Sequence, residues 1–224
     1  MYFSSSSITP KDNVTGSGSF GLVSIGDKKL LVTCWHVLYQ KDYGFKDVHA
    51  LNPKVEFAIG IGGQHPHSLS FEHVMERKVD DEKRCDLVTF DISDALDLVA
   101  ASDLDFFNLN ANPPPQVHVG DIIYLIGFPA KGRIENDKSI GFPRQPIGVQ
   151  VSQVGESNFF AHAPNLKLTE DDVGGISGAP CFVVREGASP KLVGFATGYA
   201  PIQMTFQFTY ARYIGKDGII RYMS

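Results

Sequence analysis

Three residues in this chain have the types and surroundings needed for acyl transfer. His36 closes the apolar run Leu30-Leu-Val-Thr-Cys-Trp-His36, so a strand ending there would put an imidazole where the chain turns. Asp86 stands at the threshold of the alternating run Leu87-Val-Thr-Phe-Asp-Ile. Ser177 lies in Gly174-Gly-Ile-Ser177-Gly-Ala-Pro180, where flanking glycines let backbone N–H groups converge on a carbonyl without side-chain obstruction. Taken singly, each has a plainer reading: a satisfied core histidine, a solvated turn acid, a glycine-rich turn before a strand. Taken together, in the order His…Asp…Ser and each beside an apolar strand, they suggest one site. A serine hydroxyl is too weakly acidic to attack an amide unaided. A neutral imidazole can take its proton, and a carboxylate can hold the ring in the right tautomer.

The segments around these residues carry a family resemblance. Thr33-Cys-Trp-His36-Val resembles the catalytic-histidine segment of trypsin-like (chymotrypsin-fold) serine peptidases, and Asp86-Leu-Val-Thr-Phe resembles their acid-then-strand segment. Gly175-Ile-Ser177-Gly-Ala-Pro180 resembles their Gly-x-Ser-Gly-Gly-Pro nucleophile loop. The 50 residues from His36 to Asp86 and the 91 from Asp86 to Ser177 are close to the family's usual intervals. Gly16-Ser-Gly18-Ser-Phe, Gly127-Phe-Pro129 and Leu192-Val-Gly194-Phe-Ala-Thr197 resemble further segments of the family, so the likeness covers roughly residues 16–210.

What the resemblance implies is concrete. It implies two six-stranded antiparallel β-barrels with the active site in the cleft between them and a short C-terminal helix. An arm at 1–15 would precede a first barrel at 16–112, bearing His36 and Asp86, and a second at 113–224, bearing Ser177. The N–H groups of Gly175 and Ser177 would form the oxyanion hole. Asp171 precedes the serine by six residues, the offset at which trypsin carries the acid that reads Lys or Arg. Thr197-Gly198-Tyr199 replaces the family's cleft-lining Ser-Trp-Gly, and Tyr199 would narrow the pocket entrance. Ile176 stands where zymogen-activated members carry an aspartate, so activation by a newly cut N-terminus is not expected.

Other chemistries fit less well. An α/β-hydrolase needs its histidine after the serine, and the last histidine here is His162. Cys181 lies inside an apolar run, where an inert thiol is the plainer role, and Cys34 and Cys85 adjoin the proposed histidine and acid. His65, His67 and His73 lack a matching acid or cysteine cluster, so no metal and no cofactor is expected. Asp91 is the second choice for the acid. Two further readings stay open: a catalytically silent peptide-binding module on the same fold, and an enzyme that needs a protein partner to order its nucleophile loop.

The elements that must position these residues are mostly strands. Runs rich in β-formers occupy Ser19–Ile25, Leu30–Thr33, Val55–Ile61, Leu87–Ile92, Asp121–Gly127, Gly148–Val154, Asn158–His162, Pro180–Val184, Leu192–Thr197 and Thr205–Tyr210. Residues 1–18 read as a polar, Ser/Gly-rich arm. Helical patterning is confined to Asp94–Asp103 and a last turn at Asp217–Met223. Pro113–Pro115 falls near the middle, where neither a helix nor a central strand can continue. The chain has 224 residues, 20 Lys plus Arg and 25 Asp plus Glu, so a mildly acidic surface makes nucleic acid a poor partner. A polypeptide substrate fits better. Three unpaired cysteines, no signal-like start and no bilayer-length apolar run point to a cytoplasmic protein with no membrane partner.

Overall fold

A computed structural model describes residues 5–10, 18–38, 55–61, 64–70, 76–78, 86–94, 105–127, 134–136, 139–141, 145–163, 168–169 and 173–221. Among these the fold is all-β with short helical pieces, among them one turn, α1 (Trp35–Leu38), and a 3-10 turn at Ala211–Tyr213. No helix among the described residues is long and apolar enough to cross a membrane.

The first half forms one sheet from β1 (Ser5–Pro10), β2 (Gly18–Ile25), β3 (Lys28–Cys34), β4 (Val55–Ile61), β5 (Gln64–Ser70), β6 (Glu76–Lys78), β7 (Leu87–Asp91) and β8 (Phe107–Asn108). Their spatial order is β5-β4-β1-β2-β3-β7-β6, with β8 pairing β2 in parallel. The second half supplies β9 (Ile122–Gly127), the hairpin β10 (Ile134–Asn136) and β11 (Ser139–Gly141), then β12 (Gln145–Val154), β13 (Asn158–His162), β14 (Pro180–Val183), β15 (Lys191–Ala200) and β16 (Thr205–Tyr210). Six of these close a barrel in the order β12-β13-β16-β15-β14-β9.

Two expectations need correction. The first half is not a closed barrel among the described residues: β5 and β6 end the sheet, and no ladder joins them. Closure requires an edge-to-edge ladder with consistent tilt and stagger, and β6 offers only three residues to such a ladder. Nor is there a C-terminal helix at Asp217–Arg221. Gly218 takes φ +82°, its N–H bonds back to Gly215 O, and Ile214 pairs with Ile220 across the turn. Glycines at 215 and 218 favour this tight turn over a helix. Residues 222–224, most of Asp94–Asp103, and Cys85, His73 and Asp171 lie outside the described residues. Ser5–Pro10, polar enough to read as an arm, instead pairs with both β2 and β4.

Burial explains which sequence signals were strong. Every residue of β2 is buried, since the strand sits inside the sheet with the barrel against it. On β9, Ile122 and Tyr124 face outward while Ile123 and Leu125 face the core, the period of two expected for a half-solvated strand. The apolar core is continuous across the halves: Val32, Cys34 and Leu87 share it with Ile176, Ala179 and Phe195. Phe107 packs on Phe182 with centroids 4.8 Å apart. A Cβ at Gly21 would lie 2.8 Å from the Phe195 ring, so the absence of a side chain lets sheet and barrel close up.

Candidate active site

The end of β3 and the start of β7 bring His36 and Asp86 together. Cys34 pairs with Leu87, and Trp35 N–H extends the ladder by donating to Asp86 O at 2.6 Å. The first N–H groups of α1 have no intrahelical acceptor. Asp86 Oδ1 accepts from His36 N at 3.1 Å, while Oδ2 meets His36 Nδ1 at 2.6 Å. One carboxylate thus holds both the backbone and the ring of His36. Because an ionised carboxylate only accepts, the proton belongs on Nδ1, leaving Nε2 its lone pair. The His36 side chain is 44% exposed, so Nε2 is open to solvent or substrate. Asp91 is at the far end of β7, tied to Lys28 Nζ at 2.5 Å and to the Ser93 hydroxyl at 2.6 Å. Burial alone would raise its carboxyl, but these partners outweigh it and hold it below the ordinary range. Its bonds are structural.

The loop carrying Ser177 is clamped onto the same junction. Ile176 N–H donates to Val173 O and Ala179 N–H to Ile176 O, with Gly175 at φ +87° and Gly178 at φ +86° making the turns. Ser19 holds the loop from β2: its N–H donates to Ser177 O at 2.7 Å and its Oγ to Gly175 O at 2.7 Å. The carbonyl of Ser19 in turn accepts from Thr33 Oγ1 at 2.7 Å, three residues before His36. Ala196 O receives both Gly178 N–H at 2.8 Å and Cys34 Sγ at 3.1 Å. Ser177 and His36 are therefore anchored to shared partners. Among the described residues, Ser177 Oγ makes no hydrogen bond to His36, and the N–H groups of Gly175 and Ser177 have no acceptor.

Gly178 is the tightest point of this clamp. A Cβ there would lie 2.6 Å from Thr33 Oγ1 and 3.1 Å from Cys34 N, with Ser19 O closer still. Gly120 also has positive φ, at +93°, but nothing within 4 Å of its Cβ position. Gly178→Ala adds overpacking to backbone strain and is expected to cost roughly 4 kcal/mol, against about 1 to 2 kcal/mol for Gly120→Ala. Urea unfolding of the two variants checks this; equal midpoints would show that the loop does not press on β2 and β3.

Beside Ser177 opens a cavity of about 170 Å³. Val173, Gly174, Ala196, Gly198, Tyr199 and Phe206 form its walls, and no charged side chain lines it among the described residues. Tyr199 stacks obliquely on Phe206 with centroids 4.6 Å apart and donates its hydroxyl to Leu168 O, which fixes it in the wall. Thr197 is buried and hydrogen-bonded to Gln207 O, so it builds the strand behind the cavity. One ligand atom each from Cys34, His36 and Asp86 lies within 4.8 Å of the others, the donor types a metal could use. Cys181 is buried, and desolvation pushes its thiol well above the ordinary range, so it is no nucleophile. His65 and His67 fall on β5, where side chains are not described.

Sequence reasoning overlooked Ser19 as the clamp, although Ser19 sits in the Gly16-Ser-Gly18-Ser-Phe segment already matched to the family's opening strand. Its neighbour Gly18 was a usable signal. A Cβ there would press on the Val37 side chain, 2.7 Å from Cγ2, so glycine is what lets β2 approach the His36 turn.

No family model matches the chain, and no curated protein sequence matches it significantly. Solved structures do resemble it. Human heparin binding protein is 14% identical with a TM-score of 0.58, the match covering 94% of this chain and 86% of that one. A thermostable serine protease from an extremophilic microorganism is 14% identical with a TM-score of 0.54, covering 93% and 90%. Catalytically active tobacco etch virus protease, in complex with product, is 10% identical with a TM-score of 0.52, covering 92% and 72%. At these identities the likeness shows a shared chymotrypsin-like fold.

Proposed function

We propose that this chain is a serine endopeptidase that cuts polypeptides through an acyl-enzyme intermediate. The observation that carries this reading is the double grip of Asp86 on His36 at the junction where Ser19 and Ala196 anchor the Ser177 loop. Ser177 Oγ attacks the scissile carbonyl as His36 Nε2 takes its proton. The resulting oxyanion accepts from the N–H groups of Gly175 and Ser177, which have no acceptor among the described residues. Nε2 then returns the proton to the leaving amine, and water repeats the sequence to release the acid. Catalytic hydrogen bonds are often long before substrate binds, so the Ser177–His36 bond is assigned to the substrate complex. The buried thiols Cys34 and Cys181, neither of them in a disulfide, fit a reducing, cytoplasmic setting.

A catalytically silent peptide-binding module is the second reading, favoured by the missing Ser177–His36 hydrogen bond. It leaves unexplained why two N–H donors beside Ser177 have no acceptor among the described residues and why Asp86 orders the imidazole, since binding alone needs neither.

The cavity walls favour an apolar residue before the scissile bond. Tyr199 and Phe206 offer an aromatic floor, and a chain of aliphatic size suits about 170 Å³. Digestion of a peptide library tests activity and preference together. Cleavage after apolar residues is expected, unchanged by Asp171→Ala. Cleavage confined to Lys or Arg and lost in Asp171→Ala would replace this preference with the trypsin-like one, and a library left intact would count against hydrolysis itself.

A further inference from the structure

Cys34 is the residue that hydrolysis does not use. Its side chain is fully buried, yet its sulfur lies in one cluster with donor atoms of His36 and Asp86, all within 4.8 Å of one another. We propose that Cys34, His36 and Asp86 form a binding site for a thiophilic divalent cation, zinc first among them, and that the bound ion takes His36 out of service as a base.

The donor set selects the ion. One thiolate sulfur, one imidazole nitrogen and one carboxylate oxygen suit zinc, while calcium and magnesium prefer oxygen alone. Three protein ligands leave a fourth tetrahedral position for water. Bonds of about 2.0 to 2.3 Å around a tetrahedral ion put ligand atoms about 3.3 to 3.8 Å apart. The present cluster approaches that geometry through side-chain torsions: His36 and Asp86 move apart from 2.6 Å while the sulfur draws in.

Surrounding bonds tolerate the change. When Cys34 releases its thiol proton to solvent and binds the ion, Ala196 O loses one donor but keeps Gly178 N–H at 2.8 Å, so no buried carbonyl is orphaned. Asp86 Oδ1 can stay on His36 N while Oδ2 turns to the ion. Entry is from the solvent side, where the His36 and Asp86 side chains are 44% and 24% exposed. If the ion takes Nδ1, the ring proton belongs on Nε2; if it takes Nε2, the lone pair is used directly. Either way Ser177 loses its proton acceptor. The inhibitory consequence rests on the hydrolase reading, but the binding does not.

Cobalt(II) is the probe, because thiolate-to-cobalt charge transfer gives a near-ultraviolet band. Titration of the full chain is expected to give that band at one equivalent, and zinc should displace it. Cys34→Ser should lose the band and bind at least about 100-fold more weakly, more than the loss of an outer partner usually costs. Cys181→Ser should keep it. His36→Ala, which alters an exposed ligand, should also weaken binding and serves if Cys34→Ser folds poorly. No band at one equivalent, or a band that survives Cys34→Ser, overturns the proposal. In parallel, zinc should slow fluorophosphonate labelling of Ser177 by at least about tenfold, an effect reversed by chelator and absent from Cys34→Ser. A cobalt band without any labelling, with or without zinc, keeps the metal site and removes the hydrolase reading.

Discussion

Ser177→Ala is expected to lower kcat on a cleaved peptide by about 10⁶ while leaving fold and KM close to wild type. Ser177 is half-buried at the rim of the cavity, and its neighbours hold the loop through backbone atoms: Ser19 to the carbonyls of Gly175 and Ser177, Ala196 to the N–H of Gly178. No hydrogen bond of the Ser177 side chain supports the loop among the described residues, so removing its oxygen leaves the clamp intact. His36→Ala should cost a similar factor, and the double variant little more, because nucleophile and base act in one step. Additive losses in the double variant would mean that the two residues do not work together. Steady-state kinetics of the three proteins, with circular dichroism to confirm folding, make the comparison.

Asp86→Asn is expected to lower kcat by about 10⁴. The reason lies in the count of acceptors. Asp86 Oδ1 accepts from His36 N and Oδ2 from His36 Nδ1, and an asparagine has only one carbonyl oxygen for those two donors. If that oxygen stays on the backbone N–H, the amide NH₂ faces Nδ1 and forces the ring proton onto Nε2, the wrong tautomer for a base. If it turns to the ring, α1 loses its cap. Asp91→Asn is the matched control: it breaks bonds to Lys28 and Ser93, away from His36, and should change stability but leave kcat within about twofold, as expected for a site without shared partners. A drop of less than tenfold in Asp86→Asn would remove Asp86 from the mechanism.

The strands were legible because their signals are local. Val55–Ile61, Asn158–His162 and Thr205–Tyr210 form strands at the limits their side-chain patterns suggest, and the other strong runs differ from their strands by a few residues at the ends. Ser5–Pro10 was not legible: its three serines carry no β signal, and pairing with β2 and β4 supplies what propensity lacks. Barrel closure is likewise a long-range property. It depends on whether the two edge strands meet, which no local pattern in Glu76–Lys78 or Gln64–Ser70 encodes. At the site, residue type, order and the family resemblance brought His36, Asp86 and Ser177 forward as candidates, and the structure brings the first two of them into contact. The clamp was hidden because its bonds cross large sequence separations, as from Ser19 Oγ to Gly175 O and from Cys34 Sγ to Ala196 O. The proximity of Cys34 to Asp86 was hidden for the same reason: only the β3–β7 pairing brings them together.

The central claim is that Ser177 is a nucleophile made reactive by His36 and Asp86, and covalent trapping tests it most directly. The folded protein is treated with a fluorophosphonate, digested, and the adduct located by mass spectrometry. The account predicts one adduct, on Ser177, lost in Ser177→Ala and formed far more slowly in Asp86→Asn. A folded protein that takes no label, or takes it on another residue, would contradict it.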